Sequence, residues 1–303
     1  MINVLIVGSG NIAQHYALAL KAQKKLFSLH GNSLENSQRF ALKHDITFTC
    51  EERNEIPDFA SFTHIILAVP IECLTNYIEQ LKEFPHLQIL CEKPGFLQWS
   101  QMSVYENLTN VWFAFNRRFY SVVNQLKAMI DRDKFLSMRV IFDERIFQVE
   151  KSKKSETVKK HWILANSSHV IDLAFYLLDY DIKFNAFTFA RSGSIQWHPT
   201  GRFFYASYLN KNMNLTFDSS WNGSGGWSIY IADTQCDYTL QPLERLTVTK
   251  NGEVTEYNEN SPNKAGFEDM LLSFFGDKSY LMTPSQLFSL GSFIFRLGGY
   301  EKE

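Results

Sequence analysis

The chain has 303 residues, more than one core of typical size organises, so two domains are expected. Hydrophobic residues at 45% and charged residues at 20% describe an ordinary soluble globular protein. A formal net charge of −2 gives no electrostatic reason to expect nucleic acid or an anionic membrane as partner. The 26 phenylalanines predict an aromatic core in a β-rich part of the chain. Cys50, Cys73, Cys91 and Cys236 are widely spaced and form no C-x-x-C pair, which argues against a zinc site or a disulfide scaffold and fits a reducing cytoplasm. "MINVLIVGSG" lacks a charged leader and cleavage signal, and no later stretch reaches the length of a membrane span. A soluble cytoplasmic protein without a metal is the expectation.

"NVLIVGSGNIAQHYALALKAQ" predicts a strand over Asn3 to Val7, a glycine-rich turn, then a helix. The turn fits G-x-G-x-x-G/A through Gly8, Gly10 and Ala13. Gly8 permits the tight turn, Gly10 clears the approach of a pyrophosphate, and Ala13 lets helix and strand pack closely. Asn11 and Ile12 open the helix, whose free N–H groups face the phosphates. A dinucleotide site is predicted here.

The second strand should end in an acid that holds the ribose of NAD, but "LFSLHGNSLENSQRF" has none. Glu35 fits a capping box with Asn32 as N-cap. Asn32 and Ser33 could bond a 2′-hydroxyl or a 2′-phosphate, so NAD and NADP both stay open. Next come a strand, Thr63 to Pro70, a helix over 71–84, and a strand in "HLQILCEKP". Strands alternating with helices predict a parallel, doubly wound sheet. Ligands of such sheets bind beyond the carboxyl ends of the strands, where Gly8, Val69, Pro70, Glu92 and Lys93 stand.

A glycine fingerprint followed some eighty residues later by "EKP", Glu92 to Pro94, resembles the Gfo/Idh/MocA oxidoreductases. Four further stretches support the resemblance. "WFAFNRRFYSVV" looks like the strand that closes the family's Rossmann domain, and "NSSHVIDLAFYLLD" looks like its active-site helix. "WHPTGRFF" and "LQPLERL" look like sheet segments of members linked to bacterial surface polysaccharide synthesis. The resemblance implies an α/β Rossmann domain over 1–118 and an α+β domain over 119–303 with an open, mostly antiparallel sheet. It also implies homo-oligomers through that sheet. Successive β-like runs from 136 to 258, joined by turns such as "NKN" and "KNGE", fit it.

By the same resemblance the chain transfers a hydride between NAD or NADP and a carbon of a sugar or nucleotide sugar. Lys93 holds the reacting oxygen near the nicotinamide, Glu92 orients Lys93, and the bond before Pro94 is cis. His169 is the proton carrier, its ordinary pKa being near neutrality. Asp172, three residues on along a helix, shares its face and orients substrate. Many members carry an aspartate four residues before the histidine. Here that position is Ala165, with Asn166 as a neutral substitute for substrate contact. Loss of that carboxylate leaves a rival reading, a non-catalytic subunit that binds the ligand without turnover.

Three features stay divided between function and structure. Arg117 or Arg118 reaches the substrate or forms an interdomain ion pair. Trp197 and His198 line the sugar site or pack in the core. "KSKKSETVKK", Lys151 to Lys160, is a solvated loop or a grip on a diphosphate.

Overall fold

The computed structural model describes residues 2–50, 58–131 and 135–301. The first unit comprises residues 1–116 and 261–287, and the second comprises 117–260 and 288–303. The boundary after Asn116 lies close to the expected one after Arg118, but the return of 261–287 to the first unit was not foreseen. Its physical cause is an amphipathic helix near the C-terminus whose apolar face packs on the first helix of the chain.

In chain order the elements of the first unit begin with β1 (Val4–Val7), α1 (Asn11–Ala22), β2 (Phe27–Gly31), α2 (Leu34–His44) and β3 (Phe48–Cys50). β4 (His64–Leu67), α3 (Leu74–Leu81), β5 (Gln88–Glu92) and β6 (Val111–Ala114) follow. The strands form one parallel sheet in the order β3-β2-β1-β4-β5-β6. β1 and β4 are apolar runs buried on both faces, as a doubly wound sheet requires. α2 is capped by Ser33, whose side chain accepts from the Asn36 amide. Asn32, expected as the cap, stands one residue outside. Glu35 pairs with Arg39 at 2.5 Å instead of closing a capping box.

The second unit opens with α4 (Ser121–Met129), β7 (Phe135–Asp143), α5 (Ile146–Lys151), α6 (Glu156–Lys160) and α7 (Ser168–Leu177). It continues with β8 (Thr188–Ser192), β9 (Phe203–Leu209), β10 (Asn214–Ser220), β11 (Gly226–Asp233), β12 (Cys236–Leu240), β13 (Arg245–Lys250) and β14 (Glu253–Asn258). The strand order is β14-β13-β12-β11-β7-β10-β9-β8. Every pairing is antiparallel except β7 with β10. Met138, Val140 and Phe142 alternate inward along β7, and all ten residues of α7 are buried.

The chain ends with α8 (Phe267–Phe275), in the first unit, and α9 (Pro284–Gly298). Phe175, Phe187, Phe217 and Phe293 meet with ring centroids 4.8–6.3 Å apart, the aromatic core that the phenylalanine count implied. α6, capped by the Ser155 side chain, occupies part of what was expected to be a basic loop. No helix among the described residues is long and apolar enough to cross a membrane. Cys73, Cys91 and Cys236 are free thiols.

Candidate functional site

The turn from β1 to α1 builds a cradle. The Gly8 amide donates to the His30 carbonyl at 2.8 Å, and Gly8 takes φ +107°. A Cβ there would lie 2.4 Å from the Ala68 carbonyl oxygen, so only glycine lets β1 and β4 approach this closely. Gly10 is different: its backbone is extended, and a Cβ would meet nothing within 4 Å. The space beside Gly10 is open where a pyrophosphate would pass. Asn11 is exposed and Ile12 half-buried at the start of α1, while Ala13 is fully buried against the sheet. Neither a capping side chain nor an acid occupies the first turn of α1, so its amide groups are left for an anion. These residues fit a dinucleotide. At the end of β2, Asn32 is exposed and Ser33 is engaged as a cap, while Glu35, in the first turn of α2, pairs with Arg39. Val69 is half-buried and Pro70 exposed just past β4.

At the end of β5, the Tyr16 hydroxyl donates to Glu92 Oε1 at 2.6 Å. Tyr16 comes from α1 and is fully buried, with Phe267 of α8 edge-on to its ring at 5.0 Å. Burial raises the Glu92 carboxyl above its ordinary range. The Tyr16 hydrogen bond and the charges of Lys93 and Lys264 oppose that rise. Burial, and then the Glu92 charge, push the Tyr16 hydroxyl well upward, so it stays a donor. The Lys93–Pro94 bond is cis. Gly95 follows at φ +83°, its carbonyl accepting from the Tyr105 hydroxyl at 2.5 Å.

In the second unit, α7 is preceded by a π-helical turn, Ile163–Ser167, a deformation common at functional sites. It directs Asn166 and Ser167 to one carboxylate. Asn166 Nδ2 donates to Glu144 Oε2 at 2.9 Å, and Ser167 Oγ donates to Oε1 at 2.6 Å. Glu144 stands just past the end of β7 and is 5% exposed. Burial raises its carboxyl pKa, against the pull of Ser167 and Asn166. A cavity of about 830 Å³ opens here, lined by Glu144 and Asn166 and by Arg117, Trp162, Trp227 and Tyr230 among others. The Arg117 guanidinium lies over the Trp227 ring at 4.8 Å, and His169, buried, has its ring 6.3 Å from the same indole.

Asp172 has another partner. Arg118 Nη2 donates to its Oδ1 at 2.6 Å and Nε to Oδ2 at 3.0 Å, while the Tyr180 hydroxyl donates to Oδ1 at 2.6 Å. Both charged side chains are 1% exposed. Burial lowers the Arg118 pKa, but Asp172 and Tyr180 more than reverse that, so the net direction is upward. The pair lies inside the second unit and is not an interdomain bridge. With its oxygens engaged by Arg118 and Tyr180, Asp172 fits a buried structural ion pair better than a sugar contact.

Trp197 and His198 also belong to the core. Trp197 stacks on Trp221 with centroids 5.8 Å apart, and its Nε1 donates to Glu150 at 3.4 Å. His198 is fully buried between the Gly201 carbonyl at Nδ1, 3.0 Å, and the Tyr300 hydroxyl at Nε2, 2.8 Å. Tyr300 in turn accepts from the Ile163 amide. Nδ1 carrying the proton and Nε2 accepting from Tyr300 satisfies this chain, and that form is neutral imidazole. Burial pushes its pKa down to about 4.

Residues 2–108 match the family model Gfo/Idh/MocA, an oxidoreductase family with an NAD-binding Rossmann fold. Solved structures of similar fold extend the likeness over nearly the whole chain. A dehydrogenase (MviM) from Clostridium difficile aligns over 97% of both chains with a TM-score of 0.75 at 16% identity. A Gfo/Idh/MocA family oxidoreductase from Vibrio cholerae covers 98% of this chain and 96% of its own, with a TM-score of 0.76 at 11% identity. Levoglucosan dehydrogenase, in complex with NADH and levoglucosan, has a TM-score of 0.74 at 15% identity over 98% of this chain and 96% of its own. No curated protein matches the chain.

Sequence reasoning missed Tyr16, Glu144 and Trp227. Glu144 had a signal. "DER", Asp143 to Arg145, puts acid and base where the apolar run of β7 leaves its sheet, the same pattern that drew attention to "EKP".

Proposed function

We propose that the chain is an NAD-dependent oxidoreductase that transfers a hydride between nicotinamide and a hydroxyl-bearing carbon of a sugar or nucleotide sugar. The observation that carries this reading is the open glycine cradle at Gly10, in the same sheet whose β5 ends in Glu92 and Lys93. Bound NAD supplies the hydride acceptor or donor. The chain's residues do the rest. Gly8, Gly10, Asn11, Ile12 and Ala13 shape the cradle and leave amide donors for the pyrophosphate. Lys93 hydrogen-bonds the reacting oxygen and stabilises its developing negative charge, with Glu92 steadied by Tyr16 beside it. His169 carries the hydroxyl proton. Ala165 removes a carboxylate from the helix, but Glu144 brings one to the same π-helical turn through Asn166. That substitution supports turnover over a binding-only role.

The fold likeness to levoglucosan dehydrogenase supports a sugar, the resemblance of the "WHPTGRFF" and "LQPLERL" stretches supports a place in surface polysaccharide synthesis, and the widely spaced cysteines support the cytoplasm. Exposed Phe203 and Tyr205 on β9 support a homo-oligomer through the sheet.

The test is titration of NADH and NADPH by tryptophan fluorescence, then turnover at the nicotinamide absorbance with a panel of nucleotide sugars. Binding with turnover that Lys93→Ala abolishes is the expected result. Binding without turnover on any sugar would assign the chain a binding role. No binding of either dinucleotide would overturn the reading.

A further inference from the structure

The cavity of the second unit holds three acids and two arginines, and their partners are unequal. Asp143 Oδ1 accepts from the Ser220 amide at 2.6 Å and from Ser219 Oγ at 3.2 Å. Glu144 accepts from Asn166 and Ser167. Glu244 accepts from the Tyr120 hydroxyl at 3.5 Å. Each acid is thus supplied with a donor of its own. Arg117 and Arg145 line the same cavity, and neither makes an ion pair or a side-chain hydrogen bond among the described residues. Arg117 Nε is buried without a hydrogen-bond partner. A buried donor without an acceptor is costly, and a guanidinium cannot shed its proton to escape that cost.

Both arginines are held by packing and not by charge. Trp227 lies under the Arg117 guanidinium at 4.8 Å. Gly225, at φ +72°, lets its turn close on Arg145, since a Cβ there would stand 2.5 Å from Arg145 Cγ. A planar fork over an indole in the lining of a cavity, with no acid of its own among the described residues, matches a carboxylate or a phosphate. We propose that this cavity binds the anionic group of its ligand, a carboxylate or a phosphate, with Arg117 as the principal contact and exposed Arg145 at the rim. Resting on the oxidoreductase reading, this makes the substrate an acidic or phosphorylated sugar, with a neutral sugar the poorer ligand.

The experiment titrates the full chain with glucuronate, glucose 1-phosphate, inorganic phosphate and glucose at constant pH and ionic strength. The readouts are tryptophan fluorescence and calorimetry. Glucuronate or glucose 1-phosphate should bind at least ~10-fold tighter than glucose. Whichever of the two wins identifies the anion as carboxylate or phosphate. Raising the salt concentration should weaken the charged probe and not glucose. Arg117→Met, which keeps the apolar stem on Trp227, should erase the difference, and Arg145→Met should reduce it. Equal binding of charged and neutral probes by the wild type, or no binding of any, overturns the proposal. So does an advantage that persists in a folded Arg117→Met protein. NADH is titrated in the same samples. A chain that binds NADH without preferring anions refutes the anion subsite alone, while a chain that binds no NADH refutes the oxidoreductase reading.

Discussion

Asp172→Asn tests whether α7 presents a sugar ligand or anchors the core. The native carboxylate takes two donors from Arg118 and one from Tyr180, with both charged side chains 1% exposed. Asparagine keeps one acceptor oxygen but sets an amide donor against a guanidinium that already donates. It also leaves the Arg118 charge buried without its partner. Breaking a buried pair in this way costs about 3–5 kcal/mol. At roughly 2–4 °C per kcal/mol for a chain of this size class, the melting temperature should fall by about 6–20 °C. Thermal unfolding followed by circular dichroism measures it, with NADH titration as a check on the first unit. The reasoning is refuted if the variant melts within a degree or two of wild type while its KM for sugar rises severalfold. Asp172 would then be a substrate ligand whose apparent ion pair contributes little.

Three more predictions separate roles that the sequence runs together. Gly8→Ala should cost on the order of 3 kcal/mol or more, because its Cβ meets the Ala68 backbone, whereas Gly10→Ala should change stability by less than about 1 kcal/mol yet weaken NADH binding; paired melts and titrations distinguish them. Tyr16→Phe removes the donor that holds the Glu92 carboxyl down, so that carboxyl should protonate at higher pH. The acidic limb of the kcat profile should move upward with NADH affinity kept, and an unmoved limb would dissociate Glu92 from Lys93. His198 has a folded pKa of about 4 against an ordinary 6.5, so the unfolded chain binds the extra proton between those values. The stability it contributes is full above about pH 6.5 and is lost as pH falls toward 4, to roughly 3 kcal/mol. Denaturant melts across that window should show a slope that His198→Gln flattens.

The first sheet was legible because its information is local: apolar runs of strand length, a glycine fingerprint and strand-end residues at fixed spacing. Gly8 and Gly10 could be read from the same motif, yet their division of labour could not. It depends on Ala68, which reaches Gly8 only through the β1–β4 pairing. The partners of Asp172 and His198 were not legible for the converse reason. A polar residue on a helix or beside a strand looks available until its partners are known, and Arg118, Tyr180, Gly201 and Tyr300 come from distant parts of the chain. Asn32 and Ser33 differ by one residue as caps, a choice settled by backbone angles that composition does not encode. Glu144 was readable in principle, since "DER" stands at a strand exit as "EKP" does. What the sequence lacked was the π-helical turn that brings Asn166 and Ser167 to it.

Residues 261–287 return to complete the first unit, where α8 lies against α1 with Phe267 on Tyr16 and Gln23 Nε2 bonding the Glu268 carbonyl. On the ribosome this sets an order of events. The nucleotide-binding half emerges first but waits for its last helix until the whole of 117–260 has been translated, roughly 7–30 s at ~5–20 residues per second. Through that interval the apolar face of α1 lacks its cover, and Tyr16, the residue that grips Glu92, lacks one of its packing partners. The packing of α1 is therefore not complete until α8 has been made, so a chain truncated before α8 should be a client for chaperones and not a free-standing binder of dinucleotide.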